Sequence, residues 1–326
     1  MDVYEPHDAW SYANLIKECG ETTLEDFRKF YPDLRSHRYD LKTLKLDDVL
    51  SGADLVIVHE WNQPQLIADL GKRRSESRSF KLLFHDTHHR AVTAPGEMAQ
   101  YDLRHYDGVL AFGEVLRQIY LEKGWTERAW TWHEAADVTL FRPLANGTKK
   151  VDLVWIGNWG DDERTGELNE FLFHPVSNLG LSAKIHGVRY PEGIQEQLRN
   201  RGIEYRGWLP NFKAPQVYSE ARFTVHIPRR PYAARMHGIP TIRPFETLAC
   251  GIPLISAPWN DVEGLFTPGE DYLVASNGAE MCRHLKALKA DPDYAATLAK
   301  HGLETIHARH TCAHRVDELL TLFDSL

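Results

Sequence analysis

Three short apolar runs in the first half of the chain end in ionisable residues. After Val58 come His59, Glu60 and Trp61; after Phe84 come His85, Asp86, Thr87, His88 and His89; after Trp132 come His133 and Glu134. Imidazole exchanges a proton near neutrality, so such a rim suits hydrogen bonding to sugar-like hydroxyls or general-base work; capping a loop is the plainer use of any one of them. Histidine and carboxylate also ligate zinc and iron, but no second acidic cluster closes a coordination sphere at a recognisable spacing, and no metal is expected.

The second half carries a different set. Gly157-Asn158-Trp159-Gly160 stands ahead of a helix expected to begin near Glu163. Glycines let a diphosphate approach the backbone, and a helix start offers free N–H groups; Asp161, Asp162 and Glu163 oppose an anion and Arg164 offsets them. Turn and phosphate cradle are both open readings. Arg229, Arg230, Arg235, His237 and Arg243 form a cationic stretch in a chain whose formal net charge is -8. A cluster that runs against the overall charge points to an anionic ligand, with a solvated surface as the alternative. Glu246 follows in a helix over Phe245–Cys250 that Gly251 ends, where a carboxylate either serves the helix or accepts the two hydroxyls of a ribose.

The elements that must hold these residues follow from the apolar pattern. Strands are expected at Asp2–Tyr4, Asp54–Val58, Lys81–Phe84, Gly108–Ala111 and Ala129–Trp132, then at Val151–Ile156, Ala183–His186, Ile203–Tyr205, Phe223–Ile227, Pro253–Ser256 and Tyr272–Val274. Longer mixed segments separate them, among them a helix over Gly113–Lys123, which is the signature of parallel sheets with crossover helices. With 326 residues the chain has length for two α/β domains, assigned to 1–145 and 146–326 across the short polar segment Leu144–Lys150 with its Asn146–Gly147 turn. Asn277 and Glu280 predict a capping box, and Val316, Leu319, Leu320 and Phe323 predict the buried stripe of a last helix, which is expected to pack back on the first domain.

Composition excludes some classes. The hydrophobic share is 43% and the charged share 26%, ordinary globular values. No apolar run is long enough to cross a bilayer and no leader is visible, so a cytoplasmic protein is expected. The acidic balance argues against nucleic acid. Cys19, Cys250, Cys282 and Cys312 show no paired spacing and are expected to be reduced core thiols.

The run Arg243-Pro244-Phe245-Glu246-Thr247-Leu248-Ala249-Cys250-Gly251-Ile252-Pro253-Leu254-Ile255 resembles the donor-site signature of GT-B glycosyltransferases, and among them the CgeB-like group related to glycosyltransferase family 4. Ala136-Asp137 with Phe141-Arg142-Pro143 is similar to that fold's interdomain linker. Leu265–Tyr272 is similar to the loop after the donor-site helix, and His310-Thr311 with His314-Arg315 to the closing helix. The resemblance spans residues 54–326. It implies two Rossmann-like domains, the second binding a nucleoside-diphosphate sugar and the first an acceptor, whether glycan, protein or small molecule.

On this resemblance Glu246 holds the ribose beside Thr247, Trp208 and Leu209 lie against the base, and Gly157, Asn158, Gly160 and Arg229 line the donor. Arg164 and Arg243 neutralise the leaving diphosphate without a metal or further cofactor, and His85 stands beside the reacting sugar. His59, Glu60, Asp86, His88 and His89 meet the acceptor. The expected reaction is transfer of a hexose-type sugar; a catalytically silent glycan- or partner-binding protein and a nucleotide-sugar epimerase are the alternatives. Two departures matter. The family keeps a second glutamate eight residues before the first, where this chain has Gly238, so stereochemistry is not inherited. Met1–Glu5 reads like the family's second strand, which implies a first sheet lacking its opening βα unit.

Overall fold

The computed structural model describes residues 1–145 and 148–326; the expected Asn146–Gly147 turn lies outside the described residues. Among the described residues, twelve strands form three parallel sheets. Strands β1 (Asp2–Pro6) and β2 (Arg35–Tyr39) pair with each other, Asp2 opposite Arg35. Strands β3 (Leu55–His59), β4 (Lys81–Asp86), β5 (Gly108–Ala111) and β6 (Ala129–Thr131) lie side by side in that order. The second domain holds β7 (Val151–Ile156), β8 (Ala183–His186), β9 (Ile203–Tyr205), β10 (Ala221–His226), β11 (Leu254–Ser256) and β12 (Leu273–Val274), in the order β12-β11-β10-β7-β8-β9.

The inner strands are covered on both faces, which is why they read as nearly unbroken apolar runs. Leu82, Leu83 and Phe84 of β4 are fully buried, as are Leu153 and Val154 of β7. β2 behaves differently. Its sequence Arg-Ser-His-Arg-Tyr has no apolar run and gave no strand signal; it is held by pairing and by Asp2, which accepts from Arg35 at 3.0 Å and lies 3.0 Å from His37. The β1–β2 ladder shares no strand pairing with β3, whose free edge leaves Ile57 39% exposed.

Two local expectations change. The last helix, Cys312–Asp324, buries Arg315; of the predicted stripe Leu319 and Phe323 are partly buried while Val316 and Leu320 are about half exposed, so the stripe is only partly packed. Of the cysteines, Cys250 is buried whereas Cys312 is exposed. All four are free thiols.

Several contacts draw the domains together. Trp132 Nε1 donates to the carbonyl of Arg315 at 2.9 Å, and Ala136 exchanges backbone bonds with His310 and Cys312. Tyr232, Met236 and Ile239, from the segment after β10, are buried within the core of the first domain. Near the N-terminus, the helix Thr22–Phe30 crosses to the second domain. Phe27 and Phe30 pack on Phe212, and Tyr31 donates to Asp137 at 3.0 Å.

Candidate active site

In the second sheet, strand order reverses between β7 and β10, with β8 and β9 to one side and β11 and β12 to the other. A crevice opens where crossovers leave in opposite directions, at the carboxyl ends of these two strands. The Gly157–Gly160 loop follows β7 and the Arg229 segment follows β10. Arg164 ties them together, its Nη1 donating to the carbonyl of Ile227 at 3.0 Å and its Nη2 to the carbonyl of Asn158.

The glycine loop is shaped by close packing. A Cβ on Gly157 would meet the Trp155 ring at 2.5 Å, and one on Gly187 would collide with the carbonyl of Gly157. Gly160 adopts φ 80°, in the left-handed region that favours glycine. Asn158 is held by the amide of Val188 at 3.1 Å. A single 3-10 turn over Asp161–Glu163 follows, and regular α-helix begins at Thr165 rather than near Glu163.

Three guanidinium groups meet at this crevice. Burial, and then the neighbouring charge of Arg229, lower Arg164 to about 10, which still leaves it cationic at neutral pH, and its Nε is buried without a partner. Burial works against the charge of Arg243, but the Glu246 carboxylate outweighs it. Arg229 pairs with Glu163 at 2.9 Å. The rest of the cationic stretch points elsewhere: Arg230 bonds Glu167 at 2.8 Å, Arg235 donates to the carbonyl of Val92 at 3.1 Å, and His237 is exposed.

Glu246 lies inside the helix Ile242–Ala249, one turn beyond Arg243. Arg243 Nη1 donates to its Oε2 at 2.5 Å and Asn211 Nδ2 to its Oε1 at 2.8 Å. Thr247 is fully buried and turns its hydroxyl to the carbonyl of Pro244, 3.1 Å away in its own helix. Trp208 and Leu209 follow β9, with Leu209 packed on the cluster that contains Phe212 and Phe245. The helix starts on strained backbone, because Thr241 adopts φ 65° and ψ 178°, unusual for a β-branched residue.

The first domain faces this crevice with its strand ends. His59 Nδ1 lies 2.7 Å from Glu60 Oε2, and its Nε2 is 3.1 Å from the Thr87 hydroxyl. His85, edge-on to Trp132, is lowered to about 3 by burial and then by His59, so it is a neutral ring. His88 is lowered to about 3 by burial and then by His89. His89 reaches the second domain, its Nε2 standing 3.9 Å from Glu163. Asp86 sits beneath the rim: it accepts from Tyr120 at 2.8 Å and from the amide of His88 at 2.9 Å, and burial followed by the charge of Glu60 raises it to about 7.

Three further residues belong to the cleft. Glu134, noted in the sequence only as following a strand, has Oε2 buried without a partner; burial, then Glu246, push it up to about 8. Asn211 and Glu263 carry no sequence signal, since their partners are distant along the chain. Glu263 occupies the space beside Gly238, where a Cβ would collide with its Oε1; a side chain there must displace that carboxylate. Among the described residues no three histidine, cysteine, aspartate or glutamate side chains form a metal-holding group.

Two α/β domains with parallel sheets, the second doubly wound, facing each other across such a cleft constitute the GT-B fold, which the solved structures bear out. The chain aligns with the Anabaena protein HepE in complex with UDP at TM-score 0.65 and 12% identity, over 100% of both chains. A glycosyltransferase from Rickettsia africae gives TM-score 0.66 and 10% identity over 99% of this chain and 97% of that one. The T4 phage protein BGT, in complex with UDP and Mn2+, gives 0.61 and 14% over 100% of each. Residues 164–321 match the family described as glycosyl transferase-like. No curated protein matches the chain in sequence. No helix among the described residues is long and apolar enough to cross a membrane.

Proposed function

We propose that this chain transfers a sugar from a nucleoside-diphosphate sugar to an acceptor hydroxyl, without a resident metal. The observation that carries this reading is the convergence of Arg164, Arg229 and Arg243 at the β7–β10 switch point. In the reaction the acceptor oxygen bonds to the anomeric carbon, the bond from that carbon to the diphosphate breaks, and the hydroxyl proton passes to a base. The departing diphosphate gains charge as it leaves. Guanidinium groups already fixed in place meet that charge at little reorganisation cost. In this reading Glu246, preset by Arg243 and Asn211, receives the ribose.

His59 is the better placed base. Its Nδ1 lies 2.7 Å from the Glu60 carboxylate, which orients the ring, and Nε2 is the nitrogen that takes the acceptor proton. His85, lowered to about 3, is a poor proton acceptor and serves as a neutral hydrogen-bond partner. UDP-sugars are the first donors to test, because HepE and T4 phage BGT were solved with UDP.

The test is a thermal-shift panel of UDP-, GDP- and dTDP-glucose with and without a chelator, on wild type, Glu246→Ala and Arg164→Gln. One donor is expected to raise Tm by several degrees at saturation, independently of the chelator, and to lose that effect in both variants. No stabilisation by any donor overturns the proposal. A second reading, a catalytically silent binding protein, draws on the engagement of both Glu246 oxygens within the protein. It predicts the same biological activity in Glu246→Ala as in wild type.

A further inference from the structure

We infer that the indole of Trp61 is a stacking platform for a pyranose ring, making the acceptor a carbohydrate; this rests on the glycosyl transfer proposed above. Trp61 lies two residues beyond the end of β3 at the cleft rim and is 61% exposed, so a broad aromatic surface is open to a ligand. It is nevertheless held. The guanidinium of Arg90 lies 4.6 Å from the ring centroid, and the His88 ring meets the indole nearly edge-on at 4.8 Å. Arg90 is itself fixed by the carbonyl of Glu60 at 2.8 Å, a carbonyl that also accepts from Tyr101 at 2.6 Å. The plate is therefore ordered before any ligand arrives, which lowers the entropic cost of binding.

The surroundings select the ligand class. A pyranose presents an apolar face of C–H bonds and a rim of equatorial hydroxyls. A flat aromatic surface bordered by polar groups matches both. His88 supplies such a border: its ring is partly buried and neutral, so it meets hydroxyls without a charge to desolvate, while its Nδ1 is enclosed without a hydrogen-bond partner among the described residues. His59 and Asn62 stand on the same strand end, 3.1 Å from Thr87 and Tyr39 respectively. His88 is also within electrostatic reach of Arg229, so the platform adjoins the guanidinium groups of the second domain.

The experiment is saturation-transfer NMR on the full chain with the methyl pyranosides of glucose, galactose, mannose and N-acetylglucosamine, and with p-cresol as a flat aromatic control. Samples are wild type, Trp61→Ala and Trp61→Phe, each with UDP. At least one pyranoside is expected to take saturation on its ring protons, to fall at least fivefold in Trp61→Ala, and to be largely retained in Trp61→Phe. Exposure of Trp61 means that both variants fold, and an unchanged Tm verifies this. Saturation confined to p-cresol, absent from every pyranoside, or equal in wild type and Trp61→Ala overturns the inference. Stabilisation by UDP, read in the same samples, separates the two ideas: pyranoside binding without it tells against the glycosyl-transfer reading, and the reverse tells against the platform.

Discussion

Glu263 and His133 join the two domains, the carboxylate Oε2 lying 2.7 Å from the imidazole Nε2. The other oxygen of Glu263 accepts the backbone N–H of Glu114 at 2.9 Å, at the start of the helix Glu114–Glu122. One side chain of the second domain thus satisfies a free helix N–H and a strand-end imidazole in the first. Glu263→Ala removes both partners and is expected to cost about 1–3 kcal/mol, measured by urea unfolding. Gly238→Ala, which pushes on the same carboxylate, is expected to destabilise in the same direction.

The histidines of the rim are expected to separate by function. His59→Asn removes the group facing Glu60 and is predicted to lower kcat by about 10²–10⁴-fold, the usual worth of a general base. His85→Asn keeps a neutral polar side chain at a position already neutral, and a smaller loss is expected. Steady-state rates on the donor found by thermal shift, with both variants assayed in parallel, check this order. Equal losses would remove the distinction.

Thr241 heads the helix that carries Arg243 and Glu246, on backbone at φ 65° that a β-branched residue adopts only under strain. Such strain costs about 1–3 kcal/mol, part of which glycine recovers before its own entropy cost of about 0.5–1 kcal/mol. Thr241→Gly is therefore expected to raise stability by up to about 2 kcal/mol in chemical denaturation, and Thr241→Ala to leave it lower than Thr241→Gly.

Buried histidines set the acid limb of stability. His226 is held to about 3 by burial and then by Arg164, and His310 to about 4 by burial, against an ordinary value near 6.5. Their folded values are depressed, so the unfolded chain takes up protons first. This stabilisation is full above about pH 6.5 and is lost as pH falls toward 3–4, with a slope of up to about 1.4 kcal/mol per pH unit for each ring. Glu134, raised to about 8, acts oppositely: its contribution is full below about 4.5 and is lost as pH rises through 8. Tm measured from pH 4 to 7 is expected to fall on acidification, with a shallower slope in His226→Gln.

Much of the architecture was legible because parallel strands buried on both faces must be apolar along their length, as Lys81–Asp86 and Val151–Ile156 show. The same rule hides β2, which draws its place from pairing with β1 rather than from burial of its own side chains. Helical periodicity held only in part at the C-terminus, where Leu319 and Phe323 are partly buried but Val316 and Leu320 lie at the right spacing yet face outward, while Arg315 turns inward to the carbonyl of Arg309 at 2.7 Å.

By itself the chain determined which chemistry is on offer: imidazoles at strand ends, arginines after β10, and a glutamate one turn beyond Arg243. Residue type and spacing are local, and local rules suffice to read them. Only tertiary structure decided which of these groups meet. Tyr232, Met236 and Ile239 insert into the core of the first domain, so the segment between Arg229 and Arg243 is pinned across the cleft. Arg230 is thereby left to Glu167 and Arg235 to Val92, while Arg229 and Arg243 stay with Arg164. Asn211 bonds Glu246 from 35 positions away, and Glu263 bonds His133 from 130. Contacts at such separations are set by how the two domains pack, for which no short run of sequence carries a pattern.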